Sequence, residues 1–400
     1  MLIACYLATS IAGAFRLQHP TTDTSDARPR MPDAPFTPLS HNQRVVLDVV
    51  RRKGPLPRSA IAPETQLTQP WVHRLVDELL SSGWLLAGKP MKGGRGQPSV
   101  LISLDQTAAY SVGISVATDH IQLCVADLAC QVVAQRELPS PPPKLQDALR
   151  LVNDALDEIL HEHAIDRARV VGVGVAISGF FVNGGRQVNA PEPLRDWSLV
   201  DLEPVLQAAL GLPVSLLNDA TAAAIGESLV GVGRWAKTFC YLSFLYGFGA
   251  GLIIDGKPYF GRHGNAGEVT LFAPDGSEQR PALRYLLEDL QSHGVDVSSI
   301  EQIRQRFDPN WPGVDAWVAR SRPQIDRTVN AVAGLLDPEA IVFGGQLSPV
   351  LGLQLIAQTR FWHPRYDAPP ERPRLVLSEA GSSAAMVGAA LQPLSATFFA

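Results

Sequence analysis

The chain has little cysteine and no long apolar run, and each shortage argues against a class of protein. Its 400 residues contain four cysteines, which form no C-x-x-C pair and no cluster with histidine. This argues against a disulfide framework and a structural zinc site, so we expect no metal and a reducing, cytoplasmic home. No apolar run reaches the length of a membrane-spanning helix, so a membrane protein is not expected. With 46% apolar and 18% charged residues, the composition indicates a soluble globular chain of two or three domains.

Charge is unevenly distributed along the chain. Residues 41–100 contain nine Lys/Arg and four Asp/Glu, a net charge of +5, whereas residues 101–400 contain 22 and 32, a net charge of −10. A basic module on an acidic body is typical of a nucleic-acid reader attached to another domain. A solvated basic surface is the simpler alternative.

Residues 1–40 lack the pattern of a folded unit. The apolar stretch at 2–15 is not preceded by the basic segment of a signal peptide, and residues 16–40 are rich in Pro, Thr, Asp and Arg, as disordered segments are. We interpret 1–40 as a disordered tail or a mis-assigned start, with Met31 as an alternative first residue, and not as an export signal.

Residues 41–104 have the pattern of a small DNA-binding domain. Apolar spacing predicts helices at 42–52 and 58–65, and a third helix that Thr68 caps and Pro70 opens. The third helix has a predicted buried stripe of Val72, Leu75, Val76, Leu79 and Leu80. Its other side carries Gln69, Trp71, His73 and Arg74. Three short helices with a polar face on the third match helix-turn-helix geometry, with Gln69 and His73 expected on bases and Arg74 mainly on phosphates.

A basic, glycine-rich turn follows the third helix. Residues 82–86 and 99–103 have strand-like sequences on either side of the segment 89–98 (KPMKGGRGQP). Two strands joined by a flexible basic turn form a wing, which can place Lys92 and Arg95 against phosphates or in a minor groove. An ordinary amphipathic core helix is the alternative for the third helix, but this order of helices, turn and wing favours DNA binding.

The body of the chain follows a predicted hinge at 104–108. Its apolar pattern predicts strands at 110–116, 121–127, 131–136 and 170–177, helices at 145–161 and 325–336, a buried strand ending at 344–345, and a final small-residue helix over 380–390. The segment 211–224 (GLPVSLLNDATAAA) predicts a strand, then Asn218 and Asp219, then a helix. Open α/β sheets place ligand-contacting groups at such junctions. Asp219 could bind a sugar hydroxyl or act as a general base, and on spacing alone Asn218 or Asp219 could equally serve only as a helix cap.

The segment 217–221 (LNDAT) resembles the Glu-Asn-Asp-Ala-Asn segment of the ROK family (repressors, open reading frames, sugar kinases), which carries the catalytic, sugar-binding Asp. The resemblance runs from about residue 41 to the C-terminus, and it includes a Gly-Arg-x-x-Pro-like wing tip at 94–98. It implies an α/β fold, with a winged helix-turn-helix at 41–104. Residues 105–400 would form a two-lobed ROK body of the actin-like ATPase, ribonuclease H-like type, with its cleft near Asp219.

The resemblance also implies a set of ligand-binding residues. Asn189 is similar to an Asn of the loop before the family's sugar pocket, and Glu268 in GRHGNAGE to its Ala-Gly-Glu acceptor of sugar hydroxyls; Asn218 and Asp219 complete the set. Thr270 and Leu271 stand where the family has a sugar- and zinc-binding Gly-His pair. Residues 274–290 lack the family's zinc cysteines, so no zinc is expected.

Two phosphate-binding loops expected of a kinase in this family are altered. Where the family carries Asp-x-Gly-Gly-Thr, residues 115–119 read SVATD, so both glycines are gone and Asp119 replaces the Thr. A carboxylate repels a triphosphate, and a backbone without glycine cannot approach it as closely. In the second loop, at 245–251 (LYGFGAG), Tyr246 stands in place of a phosphate-binding Thr. We therefore expect no nucleotide, no other cofactor and no enzyme activity.

Together these features predict a transcriptional regulator, most simply a repressor, that senses a sugar or sugar derivative in a non-catalytic cleft and controls carbohydrate metabolism genes. Its expected partners are a double-stranded DNA operator and a small-molecule effector, and the family implies a homodimer or homotetramer. One alternative is an ATP-dependent sugar kinase that retains Asp219 as its base. The other is a regulator that responds to a non-sugar ligand or a protein partner.

Overall fold

The structure is a computed structural model that describes residue 36 and residues 38–90, 100–138, 144–272, 280–363, 367–368 and 370–400. The predicted tail up to residue 35 and the wing tip with Lys92 and Arg95 lie outside the described residues. Within the described ranges, no helix has the length and apolar character needed to cross a membrane.

The N-terminal module consists of three helices and a three-stranded sheet. Its elements are α1 (His41–Lys53), β1 (Leu56–Pro57), α2 (Arg58–Thr65), α3 (Gln69–Ser81), β2 (Leu85–Pro90) and β3 (Val100–Leu104). β3 pairs antiparallel with β1 and β2, so the predicted helices and wing strands are present. Ser40 and Gln43 form a capping box at the start of α1, whereas Thr68 precedes α3 without a side-chain cap bond. In the predicted buried stripe of α3, Leu80 is only partly buried.

The first lobe of the body is a five-stranded sheet with helices. Its elements are β4 (Tyr110–Val116), β5 (Ile121–Asp127), β6 (Val132–Leu138), α4 (Leu145–Glu162), β7 (Val170–Ile177), β8 (Phe180–Val182), β9 (Gln187–Asn189), α5 (Leu202–Leu210), β10 (Val214–Asn218) and α6 (Asp219–Val230). The strand order is β10-β7-β4-β5-β6. β4, β5 and β6 form an antiparallel meander, and β7 and β10 are added parallel to β4.

The second lobe repeats this topology. Its elements are β11 (Phe239–Phe244), β12 (Phe248–Ile254), β13 (Lys257–Pro258), α7 (Leu283–Ser292), α8 (Ile300–Arg306), α9 (Val314–Leu336), β14 (Ala340–Gly345), α10 (Pro349–Gln358), β15 (Arg374–Leu377) and α11 (Ala384–Phe398). The order is β13-β12-β11-β14-β15, again an antiparallel meander extended by two parallel strands. Two sheets with the same order are what the expected two-lobed fold requires.

The two lobes meet where α6 and α11 pack together. Both helices are rich in small residues, and their backbones approach so closely that a Cβ on Gly388 would overlap the carbonyl oxygen of Ala222. Small side chains are what permit this contact. The final small-residue helix predicted from the sequence is therefore confirmed, although it begins at Ala384.

The N-terminal module shares a hydrophobic core with the body. The rings of Phe36 and Trp84 pack on Phe398 at the end of α11, with centroids 5.8 and 4.8 Å from it. The guanidinium of Arg44 donates hydrogen bonds to the backbone carbonyls of Ser395 and Phe399. The predicted hinge at 104–108 is thus a packed connection, in which Leu104 and Ala108 are buried.

Candidate ligand-binding cavity and DNA-binding face

Two parallel strands bring Ser178 and Asp219 together. β7 and β10 run side by side with Ile177 opposite Asn218, so the residues that follow these two lie at the same edge of the sheet. Asn218 caps α6, because its Oδ1 accepts hydrogen bonds from the N–H groups of Ala220 and Thr221 at 2.9 and 3.2 Å. Of the two residues expected as possible caps, Asn218 is the one that caps the helix. The Asp219 side chain faces the cleft.

The Asp219 side chain is partly buried and lines the wall of an open cavity. The Ser178 hydroxyl donates to its Oδ2, and the N–H of Ala220 donates to Oδ1 at 2.7 Å. Loss of hydration raises the pKa of the Asp219 carboxyl to about 6, with the nearby charge of Glu268 acting in the same direction and the two hydrogen bonds opposing it. The group is therefore able to exchange a proton near neutral pH.

A short hairpin, β8–β9, carries Asn189 to the rim of the cavity. Gly179 has φ +132, and a Cβ there would lie 2.5 Å from the carbonyl oxygen of Asn189, so only glycine fits. The carbonyl of Gly179 accepts a hydrogen bond from Asn218 Nδ2 at 2.7 Å. These contacts link the hairpin to the strand-to-helix junction and leave the Asn189 side chain exposed.

The predicted ligand residues line one cavity. It has a volume of about 350 Å³, and Asn189, Asn218, Asp219 and Glu268 all contribute to its wall. Glu268 accepts a hydrogen bond from the hydroxyl of Thr270, the first of the two residues that stand where the family has its Gly-His pair. The structure thus brings together the four residues chosen from the sequence, and the oxygens they present suit the hydroxyl groups of a sugar.

Three further residues near this cavity were missed by sequence analysis. Asn265 binds the backbone of Phe181, accepting from its N–H at 2.7 Å and donating to its carbonyl at 2.8 Å, so it connects the two lobes. Arg280 and Arg284 line the cavity wall. Asn265 lies within the predicted GRHGNAGE motif, but no local pattern distinguishes the arginines, which the fold alone brings to the site.

A second cavity beside Asp219, next to the altered loop at 115–119, is small. Its volume is about 30 Å³, and residues such as Ser115, His120 and Gly345 line it. The Oδ1 atom of Asp119 lies 2.8 Å from Nδ1 of His120. Its Oδ2 accepts a hydrogen bond from the N–H of Glu301 in the second lobe at 3.4 Å. Burial alone would lower the pKa of His120, but the hydrogen bond and charge of Asp119, together with the charges of Glu137 and Glu301, outweigh burial, so the pKa is raised.

The polar face of α3 is open to solvent. Gln69, Trp71, His73 and Arg74 are all exposed, while Val72, Leu75, Val76 and Leu79 are buried. Intramolecular contacts orient two of the exposed side chains: Gln69 donates to the Ser59 carbonyl, and Arg74 pairs with Glu78 at 3.0 Å and lies 5.2 Å from the Trp71 ring centroid. This face is therefore partly organised before any partner binds.

The ROK family sequence model matches residues 111–277. The body of this chain contains a ROK family domain. An uncharacterized protein, y4fQ, from Sinorhizobium fredii is 27% identical over 366 residues, covering 90% of this chain and 92% of that protein. A xylose repressor from Caldicellulosiruptor bescii is 28% identical over 234 residues, 57% of each chain, so less than two thirds of that repressor is matched.

A solved structure supports the whole fold. The crystal structure of a ROK family transcriptional regulator, a homolog of the E. coli MLC protein, has a TM-score of 0.66 and 22% identity, and the match covers 88% of this chain and 95% of that one. The expected ROK fold, with its N-terminal helical module and two-lobed actin-like body, is thereby confirmed.

Proposed function

We propose that the chain is a DNA-binding transcriptional regulator, most simply a repressor of carbohydrate metabolism genes, whose ROK domain senses a sugar or sugar derivative. The observation that carries the proposal is the exposed polar face of α3, with Gln69, Trp71, His73 and Arg74, on a winged module of net basic charge. In such modules the third helix enters the major groove and the wing contacts the backbone. The similarity to a named xylose repressor supports the same conclusion.

The cavity beside Asp219 is the proposed effector site. Asn189, Asn218, Asp219 and Glu268 provide amide and carboxylate groups around a volume of about 350 Å³, which is near the lower end of the range of roughly 300–1,000 Å³ for small-molecule sites. We propose that the site binds without catalysis. In support, residues 115–119 lack both glycines of the family's phosphate-binding loop, and the Asp119 carboxylate in that segment is hydrogen-bonded to His120.

A route from the cavity to the DNA-binding module runs through two helices. α6 begins at Asp219 and packs along α11, and α11 ends at Phe398 in the core of the module. A ligand that binds two arrangements of these helices unequally would change the affinity for DNA. Two modules in a dimer would bind a pseudo-palindromic operator.

The test is sequence-selective DNA binding. Selection from a random duplex library with the full chain should yield a common motif, and fluorescence anisotropy should then give an affinity that falls with salt concentration. Arg74→Ala should weaken binding, whereas Arg150→Ala, an exposed arginine of α4 in the body, should leave it unchanged. Failure to select any motif at low salt would overturn the proposal, and ADP formation with a hexose would replace it with a sugar kinase.

A further inference from the structure

Two arginines of the second lobe give part of the cavity wall a basic character. Arg280 and Arg284 lie on either side of the buried Ala282, the residue that precedes α7, and all three line the cavity. Ala282 provides no side-chain cap, and the positive end of a helix dipole favours anions. Among the residues that the structure describes, the other charged groups on the wall are the carboxyls of Asp219 and Glu268.

Neither arginine forms an ion pair with an acidic residue in the described part of the chain. The Nε of Arg280 is shielded from solvent and has no hydrogen-bond partner among the described residues. Arg284 donates to the Tyr285 hydroxyl at 2.5 Å, and its guanidinium lies 4.4 Å from the Tyr285 ring centroid and 5.7 Å from that of Tyr246. By contrast, Arg320 in the same lobe pairs with Asp289 at 2.6 Å.

The shielded Nε–H of Arg280 is costly without an acceptor, because this group has lost water and gained no partner among the described residues. An incoming oxygen would remove that cost, and an anionic oxygen would do so most effectively because charge-assisted hydrogen bonds to arginine are strong and directional. A neutral sugar has hydroxyls for Asp219 and Glu268 but brings no charge for the arginines.

We infer that the effector is an anionic carbohydrate, a sugar carrying a phosphate or a carboxylate, whose charged group binds Arg280 and Arg284. The hydroxyl groups of the same molecule reach Asn218, Asp219 and Glu268. The inference rests on the proposed sensing function and narrows it to one chemical class. The cavity of about 350 Å³ has room for one sugar ring with one substituent.

The experiment measures ligand binding by the full chain, separately from DNA binding. Thermal shift and calorimetry compare neutral sugars with charged counterparts: glucose with glucose 6-phosphate and glucuronate, and N-acetylglucosamine with its 6-phosphate. Inorganic phosphate and ATP are added as separate arms. At least one charged sugar should bind, and its neutral parent should bind far more weakly. If a sugar 6-phosphate binds and glucuronate does not, the anionic group is a phosphate. The reverse result identifies a carboxylate.

Variants of the two arginines test whether they cause the preference for a charged sugar over its neutral parent. Arg280→Gln and Arg284→Gln should each weaken binding of the charged sugar by roughly ten- to a hundredfold, the usual effect of losing a charge-assisted hydrogen bond. Arg306→Gln, an exposed arginine of α8 outside the cavity, is the control and should change nothing. If either glutamine variant does not fold, Arg280→Lys and Arg284→Lys should fold and bind with intermediate affinity, because lysine keeps the charge and loses the bidentate geometry.

Several outcomes would overturn the inference. Equal affinity for neutral and charged sugars would do so, as would an anion preference that survives both glutamine variants, or no binding of any charged sugar. If inorganic phosphate binds with the same affinity as a sugar phosphate, the site binds an adventitious ion only. ATP binding that depends on the arginines would indicate that the ligand is a nucleotide. None of these results affects the selection of a DNA motif, so failure of the inference and failure of the proposed function are distinguishable.

Discussion

At the scale of single residues, two carboxyl groups with raised pKa values, those of the partly buried Asp219 and the buried Asp127, make folding stability depend on pH. Loss of hydration raises the pKa of Asp219 and of Asp127 to about 6, with hydrogen bonds opposing the shift in each case. The folded protein then binds more protons than the unfolded chain between about pH 4 and pH 6, so stability falls as the pH rises through this range.

Replacing Asp219 with Asn should remove its part of this dependence, which amounts to about 3 kcal/mol at most across the range. Urea unfolding at a series of pH values should give a shallower fall in stability for Asp219→Asn than for the wild type. Asp127→Asn should flatten the curve similarly, but only Asp219→Asn should also weaken binding of the effector. An unchanged slope in Asp219→Asn would mean that the Asp219 carboxyl titrates like an exposed one.

The local sequence could identify the candidate ligand residues only where a short motif carries them. Asn218, Asp219 and Glu268 lie in recognisable segments, and the structure places them on one cavity wall. Arg280 and Arg284 have no such segment, and the partner that fixes Asp219, Ser178, is 41 positions away. Contacts between residues so far apart leave no periodic or compositional signal.

At the scale of helices and strands, the packing of α6 on α11 sets a strict limit on side-chain size. Gly388→Ala should destabilise the protein by about 3 kcal/mol or more, because the added methyl overlaps the backbone of Ala222 and the two helices must separate. Gly334→Ala in α9 is the matched control, since nothing lies within 4 Å of its Cβ position. It should stabilise the protein by up to about 1 kcal/mol. Denaturant unfolding measures both, and similar effects of the two changes would contradict the close packing.

Sequence patterns predicted helices and strands best where periodicity and end signals agree. The strands at 110–116, 121–127 and 170–177 and the helix at 58–65 have the predicted bounds. The hairpin β8–β9 has only three residues in each strand, too few to create a period, and it was missed with α7 and α8. Helix α9 begins at Val314, well before the predicted start at 325; Pro323, which normally interrupts helices, lies inside it.

At the scale of the whole molecule, the contact between the module and the body joins residues from opposite ends of the described chain. Phe36 and Trp84 surround Phe398, and Arg44 bonds to the carbonyls of residues 395 and 399. Sequence analysis predicted a hinge here because no local pattern in the N-terminal module or at the end of α11 indicates that the two segments pack together. The packed contact instead connects α11 directly to α1 and to Trp84 of the N-terminal module.

Phe398→Leu should therefore reduce the effect of the effector on DNA affinity more than it reduces the affinity for DNA or for the effector. Leucine keeps most of the apolar burial, so the chain should fold and bind DNA with nearly wild-type affinity in the absence of effector. The effector should change that affinity less than in the wild type, where a coupling of about 5- to 150-fold is typical of allosteric proteins. Anisotropy titrations with and without effector measure the factor directly.

Phe307→Leu is the control for this change. Phe307 packs against Trp311 in the second lobe, with centroids 6.1 Å apart, and takes no part in the contact with the module. It should keep the wild-type coupling factor. If Phe398→Leu also keeps it, the signal does not pass through the end of α11. Loss of DNA binding with and without effector would mean that the aromatic contact holds the module in its binding-competent form, in which case α11 supports the DNA-binding module and does not switch it.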